Sequence, residues 1–311
     1  MSLAFVFPGQ GSQAVGMGRG FYDASETVKA LYREANEALG FDLAKLSFEG
    51  PEGELGLTAN TQPAILTASV AAATMLAERG VKPAMVAGHS LGEYSALVVA
   101  GALSFSDAVR IVRRRGQFMQ EAVPVETGAM AAVMGLELAQ VEEICGEAAR
   151  DELLAVANIN SPVQVVIAGH RGAVERAVAL ANQRGAKQSV MLPVSAPFHS
   201  PLMLPAADRL AAELARVSVQ APTIPVVRNV DGGVTTSAEG VIPFLVKQVA
   251  SPVRWTECVG RMAREGADTF LEVGPGRVLT ALLKRISKEA RGYSVEDPES
   301  LEKALAALGK D

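Results

Sequence analysis

The sequence predicts an α/β protein in which a larger domain on a parallel sheet is interrupted by a smaller unit. Three observations predict it. Apolar runs rich in Val and Ile alternate with longer stretches of helical periodicity, the pattern of strands linked by helices. Glycine-rich turns follow two of these runs, at Pro8–Gly18 and Gly88–Gly92. Between Pro124 and Pro193 the rhythm changes to β-α-β-β-α-β, the split arrangement of ferredoxin-like domains.

Taken in order, Leu3–Phe7 reads as a buried strand running into the first glycine-rich loop. Pro63 to Arg79 reads as a helix with Gly80 as its C-terminal stop. Ala84–Ala87 is a short strand entering Gly88-His89-Ser90-Leu91-Gly92, and a helix follows to about Ala100. The next helix starts near Ser104 or Ser106, either a good N-cap, and runs to about Glu121. In the middle section Ala129–Met134, Leu153–Ala157, Gln164–Ala168 and Lys187–Leu192 read as strands. Leu138–Arg150 and Gly172–Arg184 are the helices between them. Residues 125–195 are therefore expected to form an insertion, with 1–124 and 196–311 making the large domain. Helices near Met203–Arg216, Ile242–Val249, Thr256–Glu265 and Val278–Ser287, with a strand at Thr269–Val273, return to that domain.

Composition narrows the function. The 311 residues, 49% hydrophobic and 20% charged, are ample for a core. A net charge of −5 gives no electrostatic reason to expect nucleic acid. Cys145 and Cys258 are too few and too far apart for a disulfide framework or a zinc site, and read as reduced thiols. Met1–Pro8 lacks a basic leader and its apolar run stops at Pro8. Ala64–Ala77 contains Thr and Ser and falls short of a membrane span. A cytoplasmic chain with no membrane contact is expected.

The chemistry begins with G-x-S-x-G at Gly88–Gly92, placed where a strand meets a helix. A tight turn there lifts a serine oxygen above the sheet edge, close to backbone amides of the following helix. An ordinary glycine-rich connection is the competing reading, but the context favours Ser90 as a nucleophile. A serine hydroxyl needs a base. The chain has three histidines. His89 adjoins Ser90, and at a sharp turn neighbouring side chains diverge, so it reads as support for the turn. His170 ends a strand of the insertion and reads as a surface residue. His199 lies in the proline-flanked loop Ser195–Pro201, where the chain re-enters the large domain, and leads by elimination.

Several segments together resemble the malonyl-CoA:acyl-carrier-protein transacylases. They are Phe7-Pro8-Gly9-Gln10-Gly11-Ser12-Gln13, Gly88-His89-Ser90-Leu91-Gly92-Glu93-Tyr94, Arg115-Gly116-Gln117-Phe118-Met119-Gln120, and Asn158-Ile159-Asn160-Ser161-Pro162. Ala196-Pro197-Phe198-His199, Gln248–Trp255 and Glu272-Val273-Gly274-Pro275-Gly276 complete the set, in the family's order and nearly end to end. The resemblance implies a hydrolase-like large α/β domain interrupted by the ferredoxin-like one.

It also implies a Ser90–His199 dyad without an acidic third member, the imidazole being oriented by the backbone carbonyl of Gln248. The backbone amides of Gln10 and Leu91 would form the oxyanion hole. Arg113, Arg114 and Arg115 point in three directions around a helix, and the charge run alone does not choose among them. The family match selects Arg115, whose guanidinium would pair with the free carboxylate of a malonyl group. Phe198 would crowd an α-methyl branch, and Asn160 is carried over as a substrate-side polar residue, a turn role before Pro162 being its alternative.

The implied activity is malonyl transfer from coenzyme A to the phosphopantetheine thiol of acyl carrier protein, through a malonyl-serine, for fatty-acid synthesis. No metal or other cofactor is implied, coenzyme A being part of the substrate, and a monomer is expected. Lys187, Lys284 and Arg285 are candidate contacts for the acidic carrier protein. The rival readings are a serine esterase or thioesterase, which would pair its histidine with an acid, and a binding protein that keeps only the fold.

Overall fold

The computed structural model describes residues 2–124, 126–194 and 196–310. Val125 and Ser195, which end the expected insertion, lie outside the described residues, as do Met1 and Asp311.

Two sheets organise the chain. The first contains β1 (Leu3–Phe7), β2 (Met85–Gly88), β7 (Val226–Val227), β8 (Val234–Thr235), β9 (Thr269–Val273) and β10 (Arg291–Val295). The second contains β3 (Gly128–Met134), β4 (Leu154–Ser161), β5 (Gln164–His170) and β6 (Gln188–Met191). The first runs in the order β10-β9-β1-β2-β7-β8 and is parallel except for the β7–β8 pair. Its central strands β1, β2 and β9 are buried almost throughout, as strands covered by helices on both faces must be. The second sheet runs β4-β5-β3-β6 and is antiparallel. This is a mixed α/β protein with a parallel-rich sheet and a separate antiparallel one.

Three apolar clusters follow from this layering. One packs the helices Glu26–Leu39, Thr58–Glu78 and Phe105–Glu121 on one side of the first sheet. Another packs Trp255, Cys258, Phe270 and Leu283 on the other side, and the third fills the second sheet's own core. The helix Phe105–Glu121 shows why. Ala108, Ile111, Val112, Gly116 and Met119 repeat at helical spacing and are buried, so one stripe faces the core. Ser104 caps it by accepting from the Asp107 amide at 3.1 Å. An added methyl on Gly116 would sit 2.7 Å from Thr58 O, so this crossing with Thr58–Glu78 is closer than any other residue permits.

The helix read from Pro63 begins a turn and a half earlier, at Thr58, with Pro63 inside it. Proline has no amide hydrogen to give the carbonyl four residues back. That carbonyl, Ala59 O, accepts from Arg113 Nη1 at 3.0 Å instead, which is how the interior proline is tolerated. Strand β4 also runs four residues past its expected end. Its extra length pairs with the segment at Val253, where Ile159 N donates to Val253 O and Val253 N to Ala157 O. This bridge ties the second sheet to the large body beside the serine turn. Among the described residues no helix is long and apolar enough to cross a membrane.

Candidate active site

The turn after β2 dictates the site. Gly88 and Gly92 hold strand and helix so close that a methyl on either would lie 1.8 Å from Gly92 C or 2.1 Å from Phe7 O, respectively. Ser90, between them, takes a left-handed backbone with φ of 54°. Only glycine adopts that conformation without cost, so the strain marks a position held by its surroundings. His199 shares the peculiarity, with φ of 59°. Two side chains distant in sequence are thus both carried on strained turns, and they meet. Ser90 Oγ donates to His199 Nε2 at 2.7 Å. The other ring nitrogen, Nδ1, donates to the Gln248 backbone carbonyl at 2.9 Å, which sets the tautomer with Nε2 unprotonated.

The pocket around this pair lies at the carboxyl ends of β1 and β2, the usual ligand crevice of a parallel sheet. Gln10, Gln62, Ser90, Leu91, Arg115 and His199 make one wall, while Met119, Met130, Leu192, Val194 and Phe198 make an apolar one. Met130 and Asn158 come from the second sheet, so the crevice runs between the two bodies. Neither the Gln10 nor the Leu91 backbone amide donates a hydrogen bond among the described residues. The Ser90 amide is committed elsewhere, to Asn229 Oδ1 at 2.6 Å.

Arg115 is 1% exposed. Nη1 donates to Gln62 Oε1 at 2.9 Å, and Nη2 to Ser90 Oγ and Gln248 Oε1, each at 3.0 Å. Its centre lies 5.5 Å from the Tyr94 ring. Among the described residues no carboxylate forms an ion pair with it. A buried cation held by neutral groups is costly unless something else compensates it. Burial and this guanidinium, in that order, push the His199 imidazole down to about 3, so it stands neutral at pH 7. A neutral imidazole on a serine hydroxyl has a free lone pair for its proton, while the same lowering makes it a weaker base than an ordinary histidine.

Each residue expected from the sequence can now be placed. Ser90, His199, Arg115, Gln10, Leu91 and Phe198 line one pocket, and Gln248 stands behind it. Asn160 bonds His89, Oδ1 to Nε2 at 2.9 Å, and Asn158, two residues earlier, faces the pocket. Gln62, Asn229, Glu93 and the Gln248 side chain escaped the sequence reading. Glu272, in the motif near the C-terminus, is buried and caps the helix Val278–Ile286 by accepting from the Leu279 and Thr280 amides.

The chain is an acyltransferase by family: the acyl transferase domain model matches residues 4–301. A malonyl CoA-acyl carrier protein transacylase from Escherichia coli (strain K12) is 52% identical over 304 residues, 97% of this chain and 98% of that protein. An acyl carrier protein S-malonyltransferase from Vibrio cholerae superposes with a TM-score of 0.96 at 49% identity, covering 98% of this chain and 100% of the other. A malonyl-transacylase solved in complex with its type II PKS acyl-carrier protein superposes with a TM-score of 0.96 at 47% identity, covering 99% and 100%. The chain belongs to the malonyl CoA-acyl carrier protein transacylase family.

Proposed function

We propose that the protein moves malonyl from malonyl-CoA to the phosphopantetheine thiol of acyl carrier protein in two steps through Ser90. One observation carries this reading: Ser90 Oγ stands 2.7 Å from a neutral imidazole and 3.0 Å from a buried guanidinium that forms no ion pair among the described residues. The first contact supplies a nucleophile. The second supplies a carboxylate receptor at the distance of a short diacid.

In the first step His199 Nε2 takes the Ser90 proton as Oγ bonds to the thioester carbon. The carbonyl oxygen becomes an anion, and the unspent amides of Gln10 and Leu91 are suited to receive it; losing one such donor costs about 10²–10³-fold in rate. The carbon–sulfur bond breaks, His199 returns the proton to the departing coenzyme A thiol, and malonyl remains as an ester on Ser90. In the second step the pantetheine thiol gives its proton to His199, its sulfur bonds to the ester carbon, and Ser90 leaves with that proton. Arg115 would hold the malonyl carboxylate throughout, and Phe198 would bound the carbon between the two carbonyls. Asn160 would act on the substrate side through His89, which it holds. Neither step needs a metal or redox cofactor.

The contact at His199 Nδ1 favours transfer over the esterase reading, since a carbonyl occupies the place where an esterase would put an acid. Ser90, Arg115 and His199 meet within one chain, so the reading needs no residue from a second copy, and a monomer is proposed. The strand order β4-β5-β3-β6, with helices after β3 and β5, supports a ferredoxin-like insertion over 125–195 within a hydrolase-like domain of 1–124 and 196–311. A role in fatty-acid synthesis completes the proposal.

Radiolabelled malonyl-CoA tests it. The protein should gain one malonyl on Ser90, seen by mass spectrometry, and lose it on addition of holo carrier protein. Rapid release of free malonate without an acceptor would reassign the chain to the hydrolases, and no adduct at Ser90 would refute the mechanism.

A further inference from the structure

The two steps above leave one buried acid without a task. Glu93 is 3% exposed, three residues past the nucleophile on the helix Gly92–Val99. Its Oε2 accepts two hydrogen bonds, from Gln248 Nε2 at 2.8 Å and from the Asn229 amide at 3.1 Å. Both partners reach the serine turn. Gln248 Nε2 also donates to Ser90 O, and Asn229 Nδ2 donates to Gly88 O. The other end of the Gln248 side chain, Oε1, accepts from Arg115 Nη2.

An amide has a donor end and an acceptor end, so what faces each end decides which way it points. Arg115 only donates. Glu93 Oε2 only accepts here, and it does so whether or not the second carboxyl oxygen carries a proton. Turning the Gln248 amide over would set donor against donor at Arg115 and acceptor against acceptor at Glu93. Left without Glu93, the donor end of the amide keeps only the Ser90 carbonyl and loses one of its two acceptors.

We infer that Glu93 is a positioning residue for acyl selection: through the Gln248 side-chain amide it holds the Arg115 guanidinium in place for a substrate carboxylate. This rests on the malonyl reading and deepens it. The Asn229 arm acts on Ser90 itself and so serves every acyl group alike. The Gln248 arm reaches Ser90 O as well as Arg115, and only its Arg115 end distinguishes acyl groups that carry a carboxylate. The ratio of malonyl to acetyl acylation therefore isolates the Arg115 end of the second arm from any general loosening of the turn.

The experiment measures the rate of Ser90 acylation from malonyl-CoA and from acetyl-CoA in each variant. Glu93→Met should lower the malonyl-to-acetyl ratio roughly tenfold, the scale of one hydrogen bond to a charged group. Glu93→Gln, which keeps an acceptor in place, should restore most of it. In an Arg115→Ala background Glu93→Met should leave the ratio where Arg115→Ala put it. An unchanged ratio in Glu93→Met, or an equal further fall without Arg115, overturns the inference. Should Glu93→Met not fold, Gln248→Met breaks the same arm and keeps the backbone carbonyl. It must lower the ratio likewise, and an unchanged ratio is again fatal. A wild-type protein with no preference for malonyl would defeat the substrate reading itself, a result distinct from all of these.

Discussion

Ser90 Oγ lies 2.7 Å from His199 Nε2, and both residues are held in the left-handed backbone region that side chains other than glycine avoid. Each strained residue is locked from behind: Ser90 by Asn229 and Gln248, His199 by the Gln248 carbonyl. The pair meets because the surrounding body over-determines two unfavourable turns.

The strain is measurable. Ser90→Ala and Ser90→Gly both remove the nucleophile, so neither should accept a malonyl label. Glycine alone also relieves the turn. Ser90→Gly should be the more stable of the two by about 0.5–1 kcal/mol, part of the left-handed penalty being offset by glycine's freedom in the unfolded chain. Thermal unfolding of the two proteins decides it, and equal melting temperatures would mean the turn stores nothing.

Arg115→Ala should damage acylation by malonyl-CoA about 10²-fold, the scale of a lost charge-assisted contact, with far less effect on acetyl-CoA. Arg115→Lys should recover only part of it, because an ammonium keeps the charge without the fork. Equal losses with both thioesters would make the residue a structural cation only.

The depressed His199 value, about 3, fixes the sign of the pH response. A lowered value means the base stays unprotonated into acid, so kcat/KM for acylation should hold as pH falls through 6.5 and fail well below it. Removing the Arg115 charge should move that acid limb upward. Stability runs the same way. The unfolded chain binds this proton from about pH 6.5 downward and the folded chain only near 3, so this group's contribution to stability falls as pH drops across that window. An acid limb at the ordinary histidine value in the wild-type protein would contradict the buried, cation-flanked setting.

Much of this was readable in the residues, for reasons that differ by element. The Gly88–Gly92 turn is local, and its chemistry follows from its own five residues. Arg115 is not separable from Arg113 and Arg114 by the charge run, and the family match selects it; in the structure it lies on the buried stripe of Ala108, Ile111, Val112, Gly116 and Met119, while Arg113 is half-buried and Arg114 exposed. Gln62, Asn229 and the Gln248 side chain were not readable. Each is a neutral residue whose meaning depends on a partner 53 to 158 positions away in the chain at Ser90, Arg115 or Glu93, and no local pattern records that. The interior Pro63 misled because proline ordinarily opens a helix, and only the remote Arg113 side chain explains the exception.

Phe198, 8% exposed on the pocket's apolar wall, should set the tolerance for branching. Phe198→Ala should raise the rate with methylmalonyl-CoA relative to malonyl-CoA by roughly tenfold, the scale of room gained for one methyl group. Competition between the two thioesters for one pool of enzyme reads the ratio directly. No change would place the branch against another part of the wall.

Gly116 links packing to selection. A methyl there would press within 2.7 Å of Thr58 O and Ala59 Cα, both backbone atoms that cannot step aside alone. Gly116→Ala must therefore part the two helices that carry Arg115 and Gln62, at a cost of about 1–3 kcal/mol in stability. Because Arg115 Nη1 and Gln62 Oε1 meet across that crossing, the same shift should lengthen their 2.9 Å bond and lower malonyl acylation more than acetyl. Chemical denaturation and the acylation ratio, measured on one preparation, separate the two effects. A destabilised protein with an unchanged ratio would show that the helix crossing supports the fold without aiming the guanidinium.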